Sequence, residues 1–202
     1  MSLLNAFVHP GEAVVAVDTA AIALDGSTRQ FSKILPIPHI NAVLANRGQG
    51  MFLNFLFGSC LTAQSFDELL EVMTSENLTA MDRQLAADGF YKPGTEGQEM
   101  VAVGWSDKHV RMVGKAFVRL AGMLEFRVSE FENCISPWDQ QAMGTIPRKI
   151  DALEKLAKAQ VSWLRSLGPE VAGGGELLVC RITRTSLALT KKCAFHEERR
   201  AA

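Results

Sequence analysis

Residues 3–21 read LLNAFVHPGEAVVAVDTAA, and this stretch indicates how the fold begins. Two apolar runs, residues 3–8 and 13–21, flank the tetrapeptide His9-Pro10-Gly11-Glu12. Short apolar runs with β-branched residues are typical of strands, and a Pro-Gly pair between two such runs is typical of a turn. The sequence therefore predicts a β-hairpin at the start of the chain.

The period of the apolar residues predicts the remaining elements. A period of two, bounded by glycine, proline or polar turns, indicates strands, whereas apolar residues three and four positions apart indicate a helix face. The strands predicted in this way are residues 31–37, 40–45, 100–105, 110–117, 122–128, 176–182 and 185–190. The predicted helices lie within residues 51–88 and in a segment that starts at Pro147 and ends before Gly168.

The order of these elements indicates the fold class. Strands come first, then a helical block, then strands, one helix and a final pair of strands. This order is typical of α+β layers rather than of alternating βαβ units. With no internal repeat and no linker-like change of composition, the sequence predicts one domain over residues 1–202, with helices outside a pair of antiparallel sheets.

Composition excludes several classes of protein. The 202 residues are 48% hydrophobic and carry a formal net charge of -1, so no basic field favours a nucleic acid. The most apolar later stretch, residues 51–63, is shorter than the ~20 residues that a membrane-spanning helix needs. No basic region precedes an apolar core at the N-terminus, so we expect no secretory signal. These features predict a cytoplasmic protein that binds neither membrane nor nucleic acid.

The cysteines and histidines do not form a metal-binding pattern. The four cysteines are widely spaced, without a CxxC pair, and the histidines lie in predicted turns or the charged tail; the cysteines are Cys60, Cys134, Cys180 and Cys193. Reduced, mostly buried thiols fit this spacing better than a zinc site or a secreted disulfide frame. We therefore expect no metal and no cofactor.

Four residues stand at a distinctive spacing along the first fifty positions. Ser2 opens the chain after Met1, Asp18 lies in the second apolar run, Lys33 lies in the next predicted strand, and Gly48 follows the fourth. In these residues and in its order of elements, the chain resembles the N-terminal nucleophile (Ntn) hydrolases, in particular the proteasome β-subunit branch and its bacterial relatives. The resemblance covers nearly the whole chain and implies a four-layer αββα sandwich of two antiparallel sheets flanked by helices.

The resemblance also implies a catalytic role for Ser2, Asp18, Lys33 and Gly48. Removal of Met1 would free the α-amine of Ser2, whose ordinary pKa of roughly 7.7–8.0 suits it to accept the proton of its own hydroxyl. Lys33 beside Asp18 would favour the ionised hydroxyl, and the Gly48 backbone N–H could stabilise an oxyanion. The implied activity is that of an amidohydrolase or peptidase.

The sequence departs from this family in two places. Ser2 stands where the proteasome branch most often has threonine, and residues 129–132, Ser-Glu-Phe-Glu, lack the small Gly-Ser character expected of the supporting loop. Each site residue also has a purely structural interpretation. Ser2 would be an ordinary second residue, Asp18 and Lys33 a structural ion pair, and Gly48 a turn glycine.

Two functions therefore follow from the sequence. The first is a non-catalytic or weakly catalytic subunit that self-associates or joins a larger assembly, such as a ring, a virion or a phage tail. The near-zero net charge and the apolar segment around Met51, Phe52, Phe55, Leu56 and Phe57 favour packing between subunits. The alternative is an active hydrolase of peptide or amide substrates that uses Ser2, which requires that Met1 be removed.

Overall fold

The computed structural model describes residues 2–22, 26–90, 97–144, 152–168 and 173–195. In chain order, the strands are β1 (Leu4–Val8), β2 (Glu12–Asp18), β3 (Ala20–Ile22), β4 (Thr28–Gln30), β5 (Ile34–Ile37), β6 (Ala42–Arg47), β7 (Gln98–Ser106), β8 (Arg111–Arg119), β9 (Arg127–Glu130), β10 (Asn133–Ser136), β11 (Gly175–Thr183) and β12 (Leu187–Phe195). The α-helices are α1 (Met51–Thr62), α2 (Phe66–Val72), α3 (Ser75–Ala87), α4 (Gln140–Met143) and α5 (Leu153–Ser166), and a 3-10 turn spans Pro38–Ile40.

The strands form two five-stranded sheets and a small ribbon. Sheet I has the order β10-β1-β2-β11-β12, sheet II has the order β5-β6-β7-β8-β9, and β3 pairs with β4. Every pairing is antiparallel. The predicted α+β class and the predicted hairpin at the start of the chain are both confirmed.

Apolar residues on successive positions of one strand enter different hydrophobic clusters. On β6, Leu44 packs among the side chains of α1, α2 and α3, whereas Val43 packs among side chains that come from both sheets. On β2, Val15 joins that same inter-sheet cluster, while Val14 joins a third cluster with Val161 of α5. Since successive side chains of a strand point to opposite faces, both faces of these strands are buried. This is why the runs in the sequence are continuously apolar rather than alternating.

Side-chain caps set where two of the helices begin. The Ser65 hydroxyl accepts a hydrogen bond from the Glu68 N–H at 3.1 Å, and the Thr74 hydroxyl accepts one from the Asn77 N–H at 3.1 Å. Such caps satisfy N–H groups that have no partner within a helix. The helices predicted within residues 51–88 are confirmed, and they are three, with Ser65 capping α2 and Thr74 capping α3.

The predicted strand over residues 13–21 is interrupted at Thr19. The Thr19 N–H donates to the Glu176 carbonyl at 3.0 Å, while the Thr19 carbonyl accepts from the Phe31 N–H at 2.8 Å. The chain therefore leaves its sheet I partners at this residue and forms the β3–β4 ribbon beyond it. Sequence periodicity does not reveal this change of partner, because Ala20 and Ala21 continue the apolar run.

The predicted strand over residues 122–128 begins only at Arg127. The Met123 N–H donates to the Leu120 carbonyl at 3.0 Å, which closes a turn, and the Phe126 N–H donates to the Thr79 hydroxyl of α3 at 3.2 Å. The buried Phe126 ring lies 5.6 Å from the Phe52 ring, so this segment packs on helices. Two short strands, β4 and β10, were not predicted, and β12 extends beyond the predicted residue 190. The predicted helix start at Pro147 lies outside the described residues.

Among the helices that the structure describes, none is long and apolar enough to cross a membrane.

A buried pair of amide side chains joins β1 to α5. The Asn5 and Gln160 side chains are fully buried and exchange two hydrogen bonds of 2.6 and 3.0 Å, and Gln160 also donates to the Pro137 carbonyl at 2.9 Å. A buried polar group that loses its partner incurs a desolvation cost of roughly 1–3 kcal/mol.

We predict that Gln160→Met and Asn5→Leu each lower the free energy of unfolding by about 1–3 kcal/mol, because each leaves the other amide without its partner. In the double variant, the free energy of unfolding should fall by less than the sum of the two single losses, with a coupling energy of about 0.5–3 kcal/mol. Urea denaturation of the four proteins measures this coupling. Strict additivity would contradict the role given to the pair.

Candidate functional site

The Asp18 carboxylate, at the end of β2, is the centre of the candidate site. It is fully buried and accepts three hydrogen bonds from separate parts of the chain. One oxygen accepts from the Leu3 N–H at 3.0 Å and from the Lys33 ammonium at 2.8 Å, and the other accepts from the Gly174 N–H at 3.0 Å. A buried carboxylate requires such partners, because burial removes the water that would otherwise solvate it.

Lys33 lies directly before β5, and its ammonium is buried against Asp18. The ammonium also donates to the Ala20 carbonyl, where the chain has just left sheet I. Burial lowers the pKa of Lys33 from its ordinary value, although the neighbouring Asp18 carboxylate opposes this shift. The arrangement places a cation with a reduced affinity for its proton beside the start of β1.

The backbone around Ser2 is held from two sides. The Ser2 carbonyl accepts a hydrogen bond from the Arg47 guanidinium at 2.7 Å, and the next residue, Leu3, donates its N–H to Asp18. Arg47 in turn pairs with Glu99 of β7 at 2.6 Å. Ser2 itself is half-buried. Met1, on whose removal the hydrolase hypothesis depends, lies outside the described residues.

Gly48 follows β6 directly and takes a backbone conformation that favours glycine. Its φ is 125°, and a Cβ there would meet the Gln98 side chain and lie 2.8 Å from the Gly97 carbonyl oxygen. The preceding strand is tied to the lysine, because the Asn46 N–H donates to the Lys33 carbonyl at 2.9 Å. The four residues predicted from spacing therefore lie on segments that contact one another.

Residues 129–132, noted above for lacking small side chains, lie away from this cluster. Ser129 and Glu130 belong to β9, at the edge of sheet II opposite to β5. The Glu130 carboxylate pairs with Lys115 and Arg111, and hydrogen bonds from these two side chains hold its pKa below the ordinary value. This stretch makes a surface ion-pair network on the far side of the sheet.

The structure adds site residues that spacing did not reveal. Gly174 donates to Asp18 from the glycine-rich segment before β11. Arg47 donates to the Ser2 carbonyl and pairs with Glu99, and Gln98 packs beside Gly48 and accepts from the Gln49 N–H. The glycine triplet at residues 173–175 was the one available signal in the sequence. Gly174 and Gly175 take φ values of 141° and 68°, which glycine adopts without steric cost.

The thiols contribute no reactive group to this site. All four cysteines are free, and burial raises the pKa of Cys60 to about 11 and that of Cys180 to about 12. Burial also raises the pKa of Cys134 to about 12. Such thiols stay protonated near neutral pH. In the described part of the chain, no three His, Cys, Asp or Glu side chains are grouped so as to hold a metal ion.

The chain was compared with models of protein families and with curated proteins. No family model matches the chain, and no curated protein matches its sequence.

We predict that Lys33→Met lowers the free energy of unfolding by about 3–5 kcal/mol, because it leaves the buried Asp18 carboxylate without its cation. Lys191→Met is the matched control. Lys191 pairs with Glu176 at 2.7 Å, but its side chain is 60% exposed, so its loss should have an effect of at most about 1 kcal/mol. Urea denaturation at neutral pH compares the two. Equal losses would show that the buried pair has no special structural role.

Proposed function

We propose that the chain is a proteasome-β-like Ntn-hydrolase domain over residues 1–202, with a four-layer αββα sandwich, that hydrolyses an amide or peptide bond with Ser2. The single observation that carries the proposal is the buried Asp18–Lys33 pair, which also holds the backbone N–H of Leu3 beside Ser2. The three successive hydrophobic clusters, between helices and sheet II, between the sheets, and between sheet I and α5, support the layered arrangement.

The proposed chemistry begins once Met1 has been removed. The Ser2 hydroxyl attacks the carbonyl carbon of the substrate amide, and its proton passes to the free α-amine. The carbon–nitrogen bond then breaks, the leaving amine takes up that proton, and the acyl group remains on Ser2 as an ester. Water cleaves the ester in the second step and restores the hydroxyl.

Each neighbouring residue has a part in this chemistry. The Lys33 ammonium favours the ionised hydroxyl by its charge, and Asp18 holds the ammonium in place. The Gly48 N–H would donate to the oxyanion that forms in both steps, a contribution typically of ~2.7–4 kcal/mol. No cofactor and no metal enters these steps.

A cytoplasmic setting is part of the proposal, and the four free cysteines support it.

We predict that a chain whose first residue is Ser2 is acylated at Ser2 by a β-lactone, a strained cyclic ester that opens on a hydroxyl. The probe adds its full mass to the N-terminal peptide, which mass spectrometry of a digest detects. The same chain with one alanine before Ser2 should react at least ~100-fold more slowly, because the α-amine no longer belongs to the nucleophile.

Ser2→Ala serves as the control for labelling elsewhere. Labelling of the extended chain at the same rate, or no labelling of Ser2 in either chain, would contradict the hydrolase proposal. N-terminal sequencing of the protein from its native source shows whether Met1 is removed there.

A second candidate function, that of a structural subunit in a larger assembly, is favoured by helix α1. This helix has no charged residue, and three of its apolar side chains are largely exposed: Phe55 at 44%, Phe57 at 48% and Leu61 at 58%. Exposed apolar side chains grouped on one helix are typical of protein interfaces. Under this proposal the chain self-associates, as a ring component or as part of a virion or phage tail, with little or no catalysis.

We predict that the wild-type chain sediments as an oligomer at micromolar concentration and that Phe57→Glu combined with Leu61→Glu yields a monomer. Two carboxylates on an apolar contact surface would be buried without partners. Leu167→Glu is the control, because Leu167 directly follows α5 and its side chain is 45% exposed, and it should leave the oligomer intact. A monomeric wild-type protein would exclude self-association through α1.

A further inference from the structure

Two buried amide side chains hold the loop that carries Gly48. Gln98, the first residue of β7, is fully buried, and its side-chain oxygen accepts a hydrogen bond from the Gln49 N–H at 2.7 Å. Its side-chain nitrogen donates to the Asn46 side-chain oxygen. Asn46 in turn donates to the Gln49 carbonyl at 2.9 Å. Both backbone groups of Gln49 are therefore bound by side chains beneath the loop.

These contacts select one orientation of the peptide bond between Gly48 and Gln49. The N–H of Gln49 and the carbonyl of Gly48 point in opposite directions across a trans peptide, so fixing the first fixes the second. The Gly48 N–H belongs to the preceding peptide. Gln98 therefore restrains this N–H through the Gly48 Cα, which lies between the bound peptide and the preceding strand and against the Gln98 side chain. Glycine tolerates both orientations of a neighbouring peptide, because it has no side chain to disfavour either. An external contact is needed to choose between them, and the Gln98 side chain supplies it.

Close packing at Gly48 adds to this restraint. A Cβ at Gly48 would meet the side-chain oxygen of Gln98, so backbone and amide are in close contact. The Asn46 N–H also donates to the Lys33 carbonyl, which joins the same network to the residue that pairs with Asp18. Any displacement of Gln98 would thus move the Gly48 loop relative to Lys33.

We propose that Gln98 is a positioning residue that orients the Gly48 backbone for oxyanion stabilisation, an inference that rests on the proposed hydrolase function. Gln98 acts through the loop and does not itself touch the reacting atoms. A small displacement of an oxyanion donor has a large effect on rate, since removing one such donor typically slows the reaction by ~10²–10³-fold. If the donor is retained but less firmly positioned, the reaction should slow by less, about 10–100-fold.

The test compares Gln98→Met with Gln160→Met. Both substitutions remove a fully buried amide from a paired network, but Gln160 lies on α5 and bonds to Asn5 of β1 and to Pro137 rather than to the Gly48 loop. β-Lactone acylation of chains that begin at Ser2 gives the maximal rate and the apparent dissociation constant separately. Hydrogen exchange measured on residues 47–50 reports the order of the loop independently of any chemistry.

The expected result is a maximal acylation rate about 10–100-fold lower for Gln98→Met, with its apparent dissociation constant changed less than about twofold and faster exchange at residues 47–50. Gln160→Met should alter neither readout. If Ser2 of the wild type is labelled, either of two results would overturn the positioning role of Gln98: equal acylation rates in the two variants, or unchanged hydrogen exchange at residues 47–50. Absence of wild-type labelling would overturn the proposed function and this inference together.

Discussion

The buried Asp18 carboxylate is the constraint on which the arrangement of the N-terminal half depends. A carboxylate without access to water must be fully hydrogen-bonded, and its donors come from the segment before β1, the segment before β5 and the segment before β11. Loss of any of these donors would leave part of a buried charge without a hydrogen bond. A single side chain thereby holds together three segments that lead into strands of the two sheets. This interaction would be needed for the fold even in the absence of catalysis, which is why acylation of Ser2, rather than stability, distinguishes the two proposed functions.

Much of the fold follows from the sequence because burial on both faces leaves a strong pattern. Residues 13–17 of β2, 42–45 of β6 and 100–103 of β7 are apolar at every position, and apolar residues recur three and four positions apart between residues 66 and 85. Interruptions were harder to predict. At Thr19 the backbone changes its hydrogen-bond partner without a change in hydrophobicity, and residues 120–126 turn toward α3 because the Thr79 hydroxyl accepts the Phe126 N–H. Both events depend on residues far away in the chain, which a local pattern does not contain.

The sequence likewise predicts only some residues of the candidate site. Asp18, Lys33 and Gly48 could be predicted as neighbours because they stand at a distinctive spacing after Ser2, and the Lys33 ammonium does pair with Asp18. Gln98 and Arg47 could not, since a buried glutamine and a half-buried arginine have no characteristic spacing and their partners are set by the β6–β7 register. The loop after β6 also connects the residues of the two proposed functions. The loop bound by Gln98 leads into α1 within two residues, so the proposed oxyanion donor and the exposed apolar side chains of α1 lie on one continuous segment.

The contact between Asp18 and Gly174 joins residues 156 positions apart, and this distance sets the order in which the protein can assemble during synthesis. The β1–β2 hairpin leaves the ribosome before the other strands, whereas its two sheet neighbours, β10 and β11, are made only after every strand of sheet II. All five strands of sheet II lie between residues 34 and 130, so that sheet can form while the hairpin still presents two unpaired edges. Non-local pairing of this kind slows folding, and open edges invite association with other nascent chains. The hairpin is thus exposed to such association until β10 and β11 have been made.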